Sequence, residues 1–125
     1  MKSKLFCAAL LMLSGAASAQ NMNAQAFHNR AAALQRKGML ALFSSGEIKA
    51  LTAEGQAAGL NARKQRQADL SSGRAPRFCP PPGKIAMGDQ EFMQRLGSIP
   101  AAERSRIDMT EAMNRILAVK FPCRA

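Results

Sequence analysis

"DMTEAMNRILAVKFPC", residues 108–123, decides the fold of this chain. Met109, Ala112, Met113, Ile116 and Leu117 recur at intervals of three and four, the period that lays apolar side chains along one face of an α-helix. Glu111, Asn114, Arg115 and Lys120 fall at the edges of that stripe, where they are expected to meet water. Asp108 stands where an N-cap belongs and Glu111 follows three residues later, so the pair reads as a capping box. Pro122 cannot continue a helix and marks its end. The stripe reads as core; a methionine-rich groove for a partner helix is the alternative use of the same residues.

Upstream, the same reasoning yields more helices. "SIPAAER" restarts a short turn with Pro100 at its first position, and Asp89–Ile99 forms a helix whose apolar residues are Phe92, Met93 and Leu96. "SSGRAPRFCPPPGK", 71–84, holds two glycines and four prolines, which deny it regular helix. Before it, a first helix is expected over residues 23–43, with Phe27, Ala31 and Leu34 on one face and Gly38 as a weak point. In "SSGE", Ser44 and Glu47 fit a second capping box, opening a helix over 45–69. Its inner face, Ile48, Leu51, Gly55, Ala58 and Ala62, is made of small residues. We read this as close packing against the first helix, the alternative being a frayed segment, since Gly55 and Gly59 each cost about 1 kcal/mol relative to alanine.

Strands have no support. Val occurs once and Tyr and Trp never, and alternating apolar/polar runs are absent. The expected class is all-α, a small bundle of about four to five helices clasped by one disulfide. The organisation is a helical pair over 20–70, a basic Pro/Gly-rich connector over 71–86 and C-terminal helices over 87–123.

The clasp is read from compartment. Lys2 and Lys4, the apolar run "LFCAALLML" and "ASA" at 17–19 form a secretory signal peptide cleaved after Ala19, so residues 20–125 are expected to be exported into an oxidising compartment. Cys7 is discarded with the signal. Cys79 and Cys123 survive into an oxidising space, where a disulfide is the default. A zinc site is the weaker reading, because only His28 could join the two cysteines as a nitrogen ligand. A Cys79/His28 nucleophilic pair is weaker too, because it needs a free thiolate. No cofactor is implied.

The formal net charge is +10 and stays strongly positive without Lys2 and Lys4. Arg63, Lys64, Arg66, Arg74, Arg77 and Lys84 face a single acid, Asp69, across the end of the second helix and the connector. Such a surface attracts anionic partners through salt-sensitive fields. Solubility and the helix dipole account for it equally well. Nucleic acid ranks low, since the basic residues are not interleaved with aromatic ones that could stack on bases.

"FCPPPGK", "FMQRLGSIP" and "RSRIDMTEAMNRILAVKFPC" together resemble the Rap/Tai type of immunity protein, over Phe78–Cys123. The resemblance implies an exported all-α protein, disulfide-linked between Cys79 and Cys123, that sterically blocks a cell-wall amidase toxin delivered by type VI secretion. Residues before Phe78 match no pattern of that family, and no toxin-binding residue carries over. The leading expectation is therefore a periplasmic immunity or inhibitor-type binding protein, with Arg74, Arg77 and Lys84 contacting its protein partner. The alternative is a basic envelope structural or stress protein holding anionic cell wall or lipid surfaces. An enzyme lacks material: one histidine, two cysteines read as bonded, and no carboxylate pair in a site context.

Overall fold

Asp108 caps the last helix. In the computed structural model, which describes residues 21–83 and 86–124, its Oδ1 accepts the backbone N–H of Glu111 at 2.8 Å. The described residues form α1 (Ala24–Lys37), a 3₁₀ segment (Gly38–Ser44), α2 (Ser45–Ser71), α3 (Asp89–Ser98), α4 (Ala101–Arg104) and α5 (Met109–Lys120). The expected signal peptide, Cys7 and Lys84 lie outside the described residues. The described residues form an all-α bundle closed by a disulfide between Cys79 and Cys123.

The apolar stripe of α5 is the centre of that bundle. Met109, Ala112, Met113, Ile116 and Leu117 are all buried, together with Ala24 and Phe27 of α1, Leu51, Ala58 and Ala62 of α2, and Leu96 of α3. The N-terminal pair and the C-terminal helices thus share one core. Asn114 departs from expectation: it is buried rather than wet, because α2 lies over it and Gln65 accepts its side-chain N–H at 2.7 Å.

That position of α2 corrects a further reading. Its small face approaches α5, not chiefly α1: Ala58 and Ala62 are buried there, and Asn61 donates to the Thr110 hydroxyl at 3.2 Å. Gly55 and Gly59 are not points of close approach at all. A Cβ at either would meet nothing within 4 Å.

The first helix ends earlier than residue 43. Gly38 takes φ +54°, a region that β-carbon sterics leave to glycine, and the chain beyond it tightens into 3₁₀ turns. The Ser44/Glu47 capping box does not form. Ser44 makes no cap bond, and its hydroxyl accepts from Lys37 Nζ at 3.2 Å. The Glu47 carboxylate instead grips Arg30 of α1 with two bonds of 2.5 and 2.6 Å. A bidentate ionic pair outcompetes a single bond to a neutral N–H. For the same reason only half of the Asp108/Glu111 box is made, because Glu111 turns to Arg77 and Arg115.

Pro100 is one residue earlier than expected, serving as the N-cap of α4. The short α4 positions Arg104, whose side chain turns inward. Its Nη1 donates to the carbonyls of Leu96, Gly97 and Ile99 at 3.4, 3.1 and 2.5 Å, and its Nε donates to Gln25 Oε1 at 2.8 Å. The carbonyls of Gly97 and Ile99 at the end of α3 thereby gain a donor, and Leu96, which already accepts the Ile99 backbone N–H at 3.2 Å, gains a second.

The connector, exposed along much of its length, is anchored at one point. Phe78 is among the largest fully buried side chains, and its carbonyl accepts from Arg66 Nε at 3.0 Å. Beside it, Cys79 donates its backbone N–H to the Phe121 carbonyl at 2.8 Å. The disulfide therefore seals a strap already pinned by an apolar plug and a backbone bond. It ties that strap to the end of α5.

Candidate binding surface

Because α2 presents glycines where a bundle helix would ordinarily present large apolar residues, the space between α1 and α2 on one side and α3 and α5 on the other is not filled. The result is an open groove of about 630 Å³. Leu34 and Leu51 line one wall and Phe92 and Met93 the other, and on the α2 side Gly55 and Gly59 leave gaps between Leu51 and Leu60. Phe27 and Phe92 meet edge to face in its wall, ring centres 5.8 Å apart. Arg63 and Asp89 stand at its polar margin. A concave apolar surface with a few charged groups at the edge suits an apolar side chain or short segment of a partner.

Charge is distributed around this groove in a particular way. Glu47, Asp69, Glu91, Glu103 and Glu111 are all engaged in ion pairs with arginines or Lys120. Asp108 is spent on its cap, and Glu54 is buried, with Oε2 accepting the Met22 backbone N–H at 3.1 Å. Arg36, Lys37, Lys49, Arg63 and Lys64 make no ion pair with a described residue. The positive excess is thus carried mainly by α2 and the end of α1.

The residues expected to meet a partner are placed as follows. Arg77 makes two bonds to Glu111, of 2.5 and 2.8 Å, and each group stabilises the ionised form of the other. The Glu111 carboxyl is held below its ordinary pKa first by the hydrogen bond from Arg77, against the opposing effect of burial. Arg74 contacts Asp69 at 3.2 Å while remaining largely exposed. Both lie on the connector, away from the groove lining. Lys84 is outside the described residues.

Sequence reasoning missed the groove. Its signal was the pair Gly55 and Gly59, four residues apart on a helix face, which reads as close packing unless the neighbour is known.

Burial, then the charge of Arg104, hold the pKa of His28 below 6.5, so it is neutral near pH 7. No group of three His, Cys, Asp or Glu side chains suited to a metal occurs among the described residues. Both described cysteines are consumed by the disulfide. A second hollow, of about 350 Å³, is lined by amides and hydroxyls such as Asn61, Gln65 and Thr110 that already bond one another or Asn114 and Asn21. No family model, no curated protein sequence and no solved structure matches this chain.

Proposed function

We propose that this is a non-catalytic binding protein of the periplasm that acts by occluding a protein partner, an immunity or inhibitor-type protein. The observation that carries the reading is the open apolar groove whose α2 side is bare at Gly55 and Gly59. A protein that needed only to be stable would gain by filling that space, since alanine is favoured over glycine by about 1 kcal/mol in a helix. Leaving it empty is understandable if a partner's side chains enter. The partner expected from the resemblance over Phe78–Cys123 is a cell-wall amidase toxin, and the positive excess on α2 and the end of α1 favours an acidic face on it.

Blocking of this kind requires no reactive group, only shape, charge and a rigid scaffold. The disulfide and the buried Phe78 hold one end of the groove's frame. The test is hydrolysis of peptidoglycan by a purified candidate amidase, with and without the mature protein. Stoichiometric inhibition by the wild type, lost on Gly59→Leu, which fills the groove while leaving the helix sequence otherwise intact, is the expected result. Hydrolysis by the protein alone, or inhibition indifferent to Gly59→Leu, would remove the reading.

A further inference from the structure

Between α1 and α2 the chain exposes apolar surface that the bundle does not use. Met39, Leu40, Leu42 and Phe43 are 86, 66, 73 and 87% exposed. Single exposed leucines are ordinary on soluble proteins, but four large apolar side chains within five residues form a patch of the kind that marks an interaction site. The cause is local. Up to Lys37 the helical period turns Phe27, Ala31 and Leu34 toward the groove, and the turn at Gly38 then breaks that register, so the next apolar residues emerge on the outside.

None of the four lines the groove, so the patch is a separate, projecting tip. Its charge is one-signed. Arg36 and Lys37 stand in the last turn of α1, and Lys49 stands in the start of α2. Glu47, the acid among residues 36–49, is bound to Arg30.

We propose that the tip Met39–Phe43 inserts shallowly into an anionic lipid bilayer, with Arg36, Lys37 and Lys49 meeting the headgroup phosphates. An exposed apolar tip with cations in the helix turns that flank it matches a membrane interface, where acyl chains deform around the side chains and the anionic headgroups lie one helical turn further out. A protein partner would instead have to supply a socket of matching shape. The contact is a peripheral one: no described helix is long and apolar enough to cross a membrane. It sets the bundle against a membrane surface with the groove still open beside it, and does not depend on what the groove binds.

The chain contains no Trp, so Phe43→Trp introduces a single reporter at the tip. With vesicles of 70% phosphatidylcholine and 30% phosphatidylglycerol, its emission should shift to the blue and be quenched by brominated acyl chains. Val119→Trp, on the exposed part of α5, should do neither. In sedimentation with the same vesicles, Leu42→Ser with Phe43→Ser should weaken the binding of the otherwise native chain at least tenfold. Replacing Arg36, Lys37 and Lys49 by Gln should reduce binding to the level seen with pure phosphatidylcholine, while Gly59→Leu should leave it unchanged. Unshifted Phe43→Trp emission would overturn the proposal, as would an equal shift at position 119. So would a tip-dependent dimer in solution without vesicle binding, which would assign the tip to a second copy of the chain.

Discussion

Met and Leu occur both on α5 and in the tip between α1 and α2, with opposite fates. On α5 they are spaced by three and four residues, begun by the Asp108 cap and ended before Pro122, and they are buried. In the tip they are contiguous, follow a positive-φ glycine, and lie in water. The same two apolar residue types meet opposite environments. What separates them is period and punctuation, because only a continued helical register can gather side chains onto one face.

Breaking the clasp at the end of α5 should have the largest effect on this contrast. The disulfide closes a sequence separation of 44 residues, so Cys79→Ser with Cys123→Ser, or reductant, should lower stability by about 4 kcal/mol on the chain-entropy account. Urea melts followed by helical circular dichroism would measure it. Phe78→Ala removes a fully buried ring from the same strap and should cost about 3–4 kcal/mol. Combined with disulfide loss it should cost less than the sum, since the two hold one segment.

A smaller effect comes from acid. The native Glu111 carboxyl is harder to protonate than the unfolded one. The contribution of its pair with Arg77 is therefore complete above the ordinary value of 4.5 and disappears as pH falls through the depressed native value. The pair is partly exposed, so the loss should be under about 1 kcal/mol. Arg77→Gln should flatten that part of the pH–stability curve. The tip should give the smallest effect of all: Leu42→Ser with Phe43→Ser should change the melt by no more than about 0.5 kcal/mol, because nothing in the bundle rests on those side chains. A large loss there would show that the tip belongs to the core after all.

The α5 helix, its cap and its stripe were legible in the sequence because each rests on local signals that agree. The disulfide, expected from cysteine arithmetic together with an anticipated export, is formed between Cys79 and Cys123. The break at Gly38 was less so: "GMLALF" is made of good helix formers, and only the backbone at Gly38 turns it outward. The capping box at Ser44 failed because a tertiary partner, Arg30, took Glu47. Gly55 and Gly59 could not be read correctly from one helix, since whether a glycine face is a contact or an opening depends on the helix opposite. Phe78 was hidden by its setting among prolines and glycines, which mark an irregular path but not a buried one.

Arg104 has a consequence for behaviour in acid. A guanidinium stays protonated at every pH a protein survives, so the three carbonyls it gathers at the α3–α4 corner keep their donors when carboxylates discharge. Acidification should loosen the ionic clamps of α2 and the connector as their carboxylates discharge, while at the α3–α4 corner the guanidinium bonds persist beside His28, whose protonation burial and the charge of Arg104 oppose.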